Sequence, residues 1–393
     1  MKRLLEPDEL ELAARLVVMR LSGVGPRRAH WLIGPSAIDA VQALRSGLLP
    51  ETLGPAPPGV NHGVVETWRA EAARIDGHDE LGRHRLAGVH VVGPTDPCWP
   101  FADDPDPPVL LFASGPLDAV LRSSSPRVGI VGTRRCSTVG RRVARALGAD
   151  LTEAGVSVVS GLALGIDGAA HMGALSGLDL WTERGPDSPL PIAVVATGLD
   201  RVYPVANQGL WTELAQRGLV VSEAPLGTAP ERWRFPARNR LIAGLSSLVV
   251  VVESHSKGGA LLTVDEAADR GVPVAAVPGS VLSAASAGSN ALLMDGCPPV
   301  RGAQDVLDLI GQVMPAWVIP VVSNPVPRTP VVPTPVDALE RRILLHMGAG
   351  EVHLDQLVVE TEAGLPAVVR AVGSLVDQGL ARRIGNRVSM SDR

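Results

Sequence analysis

Apolar positions follow two periods along the chain, and the change from one to the other separates its parts. Over residues 8–85 apolar side chains recur every three or four positions, as in the stripe Leu10, Leu16 and Val17, which predicts helices. From Arg127 onward, short β-branched runs alternate with segments long enough for helices. These runs are VGIVG (128–132), VSVVSG (156–161), IAVVATG (192–198), LVVSEA (219–224), LVVVVES (248–254) and VAAVPG (274–279). Continuous apolar strands that alternate with helices predict a parallel sheet covered by helices on both faces.

The regions that flank this alternation have patterns of their own. A connector rich in Pro and Asp ends in a short apolar strand at Val109–Phe112. Residues 315–335 hold seven prolines, which predicts an extended linker. Residues 336–388 predict three helices followed by a basic, β-like end, a pattern typical of a winged helix-turn-helix.

The predicted fold class is therefore α/β, with a Rossmann-like parallel sheet between two smaller domains. We expect an N-terminal helical domain of a helix-hairpin-helix or SAM-like kind over 1–87 and the sheet over 88–312. A Pro-rich linker over 313–335 and a winged-helix domain over 336–393 follow. Ligands of such sheets bind at the carboxyl ends of the strands, so residues just after each strand are candidate site residues.

Composition and charge narrow the classes of function. The net charge of −5 argues weakly against a nucleic-acid partner, but recognition depends on local patches of charge. The three cysteines (Cys98, Cys136, Cys297) lie far apart and the histidines show no ligand spacing, which excludes a disulfide framework and a zinc site. No signal-peptide core and no apolar run of membrane-spanning length is present. We therefore expect a cytoplasmic protein without metal, cofactor or membrane contact.

Two glycine-rich turns after predicted strands carry cations. They comprise Gly132, Thr133 and Arg134 after the first strand of the series, and Lys257, Gly258 and Gly259 after the fifth. Glycine allows close approach of a backbone, and a helix that follows it offers free N–H groups and a positive dipole end to an anion. Two such turns at one sheet edge favour a polyanionic ligand. The alternative for each is a tight turn with solvated cations.

The second strand of the series ends in Ser160 and Gly161, and Asp167 and His171 share a helix face shortly after it. One interpretation is an acid–base pair that activates Ser160 as a nucleophile. The G-x-S-x-G motif of such hydrolases is absent. We therefore favour Asp167 as a first-turn acid or helix cap with His171 beside it, and predict no catalytic residue.

Residues 231–240 (ERWRFPARNR) interleave four arginines with two aromatic rings. The arginines are Arg232, Arg234, Arg238 and Arg240, and the rings are those of Trp233 and Phe235. Cations that hold phosphates beside rings that stack on bases are what a single-stranded nucleic acid requires. The alternative is an exposed basic loop whose rings are anchored in the core.

Both terminal regions contain further candidates for DNA contact. Residues 21–30 (LSGVGPRRAH) resemble a helix-hairpin-helix, in which backbone amides hold phosphates, but a Gly-rich helical corner is an equal alternative. The C-terminal segment carries basic residues that permit DNA contact and acidic residues that oppose it. The basic ones are Arg370, Arg382, Arg383 and Arg387, and the acidic ones are Glu360 and Glu362.

These motifs, taken in order, resemble the DprA (Smf) family. The matching segments are Gly132–Arg134, Ser160–His171, Thr197–Asn207, Ser222–Gly227, Phe235–Ser246, Gly258–Thr263 and Val277–Gly279. The order and spacing agree across all seven segments, which is far more specific than any one motif. The resemblance also extends to the flanks, because members commonly have a small N-terminal helical domain and a C-terminal winged helix.

The resemblance implies a non-enzymatic protein that binds and protects single-stranded DNA during natural transformation. It further implies transfer of the strand to the RecA recombinase and a homodimer formed through the Rossmann-like domain. The DNA-binding residues carried over by motif are Gly132, Thr133, Arg134, Ser160, Gly161, Phe235, Arg238, Asn239, Arg240, Lys257, Gly258 and Gly259. The cations would hold phosphates, the glycine backbones would admit the strand, and Phe235 would stack or anchor its loop.

Three departures from the family pattern keep alternatives open. Residues 176–191 form a longer, polar segment that we interpret as a surface loop, and K-G-G-A-L stands where S-G-S-L is common. The glycine pair with Thr263 and Glu266 approaches the signature of Lonely-Guy-type phosphoribohydrolases, which would make Glu266 a catalytic carboxylate. Besides the DNA-binding protein and the phosphoribohydrolase, a nucleotide-sensing module of the same Rossmann-like class is a third hypothesis.

Overall fold

The computed structural model describes residues 6–47, 54–181, 188–315, 317, 337–347, 352–378 and 380–390. They fall into two compact units, of which the second consists mainly of residues beyond 321. Among the helices of these residues, none combines the length and the hydropathy that a bilayer crossing demands. Most of the predicted linker 313–335 lies outside the described residues, as does the middle of the predicted loop 176–191.

Helices fill the N-terminal part of the first unit, which confirms the helical pattern of residues 8–85. They are α1 (Pro7–Arg20), α2 (Pro26–Ile33), α3 (Ala37–Ser46), α4 (His62–Ala72) and α5 (Gly77–Leu86). Three of these helices have side-chain N-caps, namely Ser36, Asn61 and Asp76. Each of these side chains accepts a hydrogen bond from a backbone N–H of the first turn. Their apolar faces enclose Trp68 and also pack against Phe112, so this core reaches the neighbouring sheet.

An eight-stranded sheet follows. Its strands are β1 (His90–Val92), β2 (Leu111–Ser114), β3 (Arg127–Val131), β4 (Ser157–Ser160), β5 (Ile192–Val195), β6 (Leu219–Ser222), β7 (Leu248–Val251) and β8 (Val274–Ala276). The order is β1-β2-β6-β5-β4-β3-β7-β8. The six strands β3 to β8 are all parallel to their neighbours among them, whereas β2 pairs antiparallel with β6 and β1 pairs antiparallel with β2. Each of the six predicted runs contains a strand that ends one to three residues before the run does. The cleft described below lies at the ends of two of these runs, those of β3 and β7.

Helices cover both faces of the sheet, as predicted. They are α6 (Leu117–Leu121), α7 (Thr138–Glu153), α8 (Ile166–Leu180), α9 (Gln208–Arg217), α10 (Arg234–Ala237), α11 (Asn239–Gly244), α12 (Gly259–Asp269), α13 (Ala287–Met294) and α14 (Ala303–Val313). Ile192 and Val194 of β5 pack in a core with α11 and α12, whereas Ala193 and Val195 pack in a core with α8 and α9. This alternation is that of a strand buried on both faces. The prediction of a loop over 176–191 is wrong for residues 176–180, because these residues belong to the last part of α8.

The chain reverses its direction of travel across the sheet at β3. From β3 it proceeds outward through β4, β5 and β6, and it then returns to place β7 on the other side of β3. Loops after β3 and β7 therefore leave in opposite directions and open a crevice at the carboxyl ends of these strands. Ligands of open α/β sheets bind at such a crevice.

The second unit contains the predicted three helices and terminal hairpin. They are α15 (Ala338–Met347), α16 (Leu354–Thr361), α17 (Leu365–Asp377), β10 (Ala381–Ile384) and β11 (Arg387–Met390), together with the short strand β9 (Val352–His353). The strands pair antiparallel in the order β10-β11-β9, and Ile343, Leu357 and Val372 of the three helices share one core with them. The sequence pattern missed β9 because two residues are too few to show a period.

Candidate functional site

A cleft of about 510 Å³ opens at the carboxyl ends of β3 and β7. It is lined by residues of the turns after these strands and by the α10–α11 segment. Nine of the twelve predicted DNA-binding residues line it, namely Gly132, Thr133, Arg134, Phe235, Arg238, Asn239, Lys257, Gly258 and Gly259. Ser160, Gly161 and Arg240 are not among its lining residues.

The turn after β3 is held against the turn after β7. The backbone N–H of Thr133 donates to the carbonyl oxygen of Glu253 at 2.7 Å, and the N–H of Ile166 donates to the carbonyl oxygen of Thr133 at 3.3 Å. A Cβ at Gly132 would lie 2.5 Å from Ile166 Cγ1, so this glycine is required by internal packing. Arg134, the next cation along the chain, is exposed at the cleft.

Arg134 and Phe235 line one side of the cleft, and Tyr203 lines a neighbouring small pocket that shares these two residues. The guanidinium carbon of Arg134 lies 5.2 Å from the centroid of the Phe235 ring, within the range of a cation–π interaction. The ring of Tyr203 also contacts Phe235, with 5.2 Å between the two ring centroids. Phe235 is partly exposed, so its ring is accessible to a base. Tyr203 is a residue that our sequence prediction missed, although it is the only tyrosine of the chain and lies in a matched motif.

The beginning of α12 also lines the cleft. Gly258 is its N-cap residue and supplies no side-chain cap, which leaves the first N–H groups of the helix directed at the cleft. Lys257 is exposed beside them, and Asn239 Nδ2 donates to the carbonyl oxygen of Gly259 at 3.4 Å. A helix N-terminus with an adjacent ammonium group is an anion site, and an arginine in the same cleft suits a chain of phosphates.

The glycines that the sequence predicts to admit the strand differ in the space around them. A Cβ at Gly161 would meet the guanidinium of Arg238, and one at Gly258 would meet Ser254 Oγ. These two glycines, like Gly132, make room for the protein's own atoms. At Gly259 a Cβ would meet no atom within 4 Å. Only this glycine of the four leaves open space at the cleft.

We expect opposite effects of alanine at Gly132 and Gly259. Gly132→Ala places a Cβ 2.5 Å from Ile166 Cγ1 and 2.8 Å from the carbonyl oxygen of Glu253. Overpacking of this kind costs about 1–3 kcal/mol, so the melting temperature falls. Gly259→Ala meets open space and replaces a helical glycine, so stability is kept or rises by up to about 1 kcal/mol. Thermal unfolding followed by circular dichroism measures both, and equal losses would contradict the packing argument.

Arg238, which the sequence predicts to hold a phosphate, is buried and bonded within the protein. The residue is only 5% exposed, and its Nη1 donates to the carbonyl oxygen of Gly161 at 2.7 Å and to that of Val194. Its Nη2 lies 4.0 Å from Asp167 Oδ2. Burial lowers the pKa of Arg238 to about 10, which leaves it charged at neutral pH. Arg238 therefore connects the ends of β4 and β5 to α10 within the lining of the cleft.

Arg240 is buried as well and serves a second internal connection. Its Nη2 donates to Glu223 Oε2 at 2.6 Å, and its Nε lies 3.1 Å from Asp106 Oδ2. Burial raises the pKa of Glu223, whose charge is supported chiefly by Arg240. Arg240, predicted to contact DNA, thus connects the end of β6 to the connector before β2.

The arrangement around Ser160 does not form a nucleophile. Ser160 is fully buried, and its hydroxyl donates to the carbonyl oxygen of Ile130 at 2.6 Å. Burial lowers the pKa of His171 to about 4, so its ring is neutral, and burial raises the pKa of Asp167 against the effect of Arg238. Asp167 stands in the first turn of α8, as the favoured interpretation predicted.

Glu266 does not line the cleft. Its carboxylate accepts a hydrogen bond from Arg270 Nη1 at 2.6 Å, and Arg270 Nε also donates to Asp104 at 2.9 Å. This network connects α12 to the connector and uses the carboxylate that a phosphoribohydrolase would need at its reacting atoms. Within the described residues, no group of three or more His, Cys, Asp or Glu side chains is placed to hold a metal ion.

Comparisons with known proteins match the region of the chain that contains the cleft to one family. A sequence model described as DNA recombination-mediator protein A matches residues 90–311, which include every residue that lines the cleft. The DNA processing protein DprA of Bacillus subtilis is 35% identical over 230 residues, 58% of this chain and 73% of that protein. DprA of Streptococcus pneumoniae is 41% identical over 214 residues, 54% of this chain and 71% of that protein. The X-ray structure of S. pneumoniae DprA is similar with a TM-score of 0.61, at 32% identity, over 75% of this chain and 97% of that one.

Proposed function

The chain belongs to the family of DNA recombination-mediator protein A, and on that premise we propose that its cleft binds single-stranded DNA. The strand is held and protected without being cleaved, and the protein helps to load RecA onto it in recombination and natural transformation. We further propose that the protein acts in the cytoplasm as a homodimer formed through the α/β domain. Neither a cofactor nor a membrane takes part in this proposal.

The observation that carries the proposal is the pairing of Arg134 and Lys257 across one cleft. Both cations are exposed there, and the N-terminus of α12, which begins two residues after Lys257, also lines the cleft. Such a lining provides binding groups for successive phosphates, although the net charge of the whole chain is −5. The partly exposed ring of Phe235 supports a single strand, because a base can stack on it only when it is free of a duplex.

We propose four domains along the chain. Residues 1–87 form the helical domain with its helix-hairpin-helix-like turn, and residues 88–312 form the Rossmann-like core. Residues 313–335 are the linker, and residues 336–393 form a winged helix. The order of elements in the second unit, a helix, a short strand, two helices and a hairpin, supports the last assignment.

Fluorescence anisotropy with labelled oligonucleotides tests the proposed function. We expect tighter binding of single strands than of duplexes of the same sequence. The logarithm of the association constant should fall with the logarithm of salt concentration, with a slope of about −0.7 for each phosphate neutralised. Absent or salt-insensitive binding would contradict the proposal. Calorimetry with free nucleotides then decides whether the cleft serves a nucleotide-sensing module instead.

A further inference from the structure

Trp233 lies outside the cleft, at the border of the N-terminal helices. The residue is 45% exposed, and the guanidinium carbon of Arg234 lies 4.4 Å from its ring centroid. The ring atom Cη2 lies 3.9 Å from the position that a Cβ of Gly25 would occupy. Gly25 ends the turn between α1 and α2. A large aromatic ring with one cation stacked on it thus adjoins the turn of residues 21–25.

The segment that carries Trp233 also forms the wall of the cleft. Trp233 is the N-cap residue of α10, and Phe235 is the second residue of that helix. Side chains two positions apart on a helix point to opposite sides. Phe235 accordingly contacts Arg134 and Tyr203, while Trp233 contacts the turn at Gly25. The segment is therefore a ridge with one ring on each side and Arg234 between them.

Glu231 holds the Trp233 ring in place and partly neutralises the positive charge of Arg234. Its carboxylate accepts a hydrogen bond from Trp233 Nε1 and lies 3.5 Å from Arg234 Nε. Arg27, the second residue of α2, is exposed beyond the turn. The side of the ridge away from the cleft thus presents a held aromatic ring and the guanidinium of Arg234, and Arg27 follows Gly25 by two residues. These are the groups that bind a base and its phosphates.

We propose that a single strand held in the cleft continues across Arg234 and stacks a base on Trp233, on its way past residues 21–25 towards Arg27. This inference rests on the proposed function of the cleft. The N-terminal helices then form the outer part of one binding path. A strand too short to cross the ridge gains nothing from Trp233, so the contribution of this ring depends on length.

Anisotropy titrations with oligothymidylates of about 5 and about 20 nucleotides test the path, since sites of this type cover about 4–16 nucleotides. We expect the wild type to bind the longer strand more tightly. Trp233→Ala should weaken binding of the longer strand about tenfold, as loss of one stacked base does, and leave the shorter strand unaffected. Trp233→Phe keeps a stacking face and should restore most of the affinity.

Tryptophan fluorescence provides a readout that a merely structural ring would not give. The longer strand should quench the wild type more than Trp233→Phe, because a stacked base quenches the ring it covers. Equal quenching, or an equal loss of affinity for both lengths, would overturn the path and leave the cleft proposal standing. Failure of the wild type to bind either strand would overturn the cleft proposal itself. If Trp233→Ala does not fold, the Phe variant decides by quenching alone.

Discussion

Replacing Arg134 and Lys257 together by alanine is expected to weaken single-strand binding about 100-fold at low salt. Both cations are exposed at the cleft, where each meets a phosphate of the proposed strand. A charge-assisted hydrogen bond is stronger than a neutral one, so each cation contributes on the order of tenfold to the affinity. Loss of two neutralised phosphates should also reduce the magnitude of the salt slope by about 1.4. Anisotropy titrations at several salt concentrations measure both quantities.

A control for this variant removes the same charge at a distance from the cleft. Arg83 is 54% exposed beside Glu80, and Arg301 is 80% exposed beside Asp305. Surface pairs of this kind contribute little to stability, so the variant Arg83→Ala with Arg301→Ala should fold and should bind DNA nearly as the wild type does. Equal losses in the two double variants would show a general effect of net charge. Undiminished binding by the first would place the strand elsewhere.

The strands of the sheet could be predicted because their burial on both faces leaves long β-branched runs. β1 could not, since His90–Val92 has an exposed, an intermediate and a buried residue and forms an edge of the sheet. The turns of the site were located by the ends of the runs. The packing roles of their glycines could not be predicted, because a glycine that makes room for Arg238 and one that leaves open space look the same in a sequence.

The arginines of residues 231–240 also show that a sequence pattern does not reveal which side chains become buried. Arg234 and Arg238 are four positions apart and look equivalent, but the second is buried. Its partners Gly161, Val194 and Asp167 precede it by more than 40 residues, and none of them marks the segment itself. Local spacing predicts which residues share a helix face. It does not predict which of them the sheet will enclose.

Arg238→Ala is expected to destabilise the fold by about 3–5 kcal/mol, as removal of one partner of a buried ion pair does. The substitution leaves Asp167, which is 5% exposed, without its cation and removes the donor from the carbonyl oxygens of Gly161 and Val194. Urea denaturation at neutral pH measures the loss. Arg238→Lys should be destabilised too, because an ammonium group lacks the planar fork that reaches several acceptors at once.

The double variant Arg238→Ala with Asp167→Asn identifies the cause of this loss. It removes both charges, so it should be more stable than Arg238→Ala alone if the unpaired carboxylate dominates. Burial already raises the pKa of Asp167, and loss of Arg238 raises it further. A protonated carboxyl carries no unpaired charge, so the destabilisation by Arg238→Ala should shrink as the pH falls through this raised pKa. A variant that kept full stability and lost only DNA affinity would instead make Arg238 a direct ligand of the strand, as the motif alone suggested.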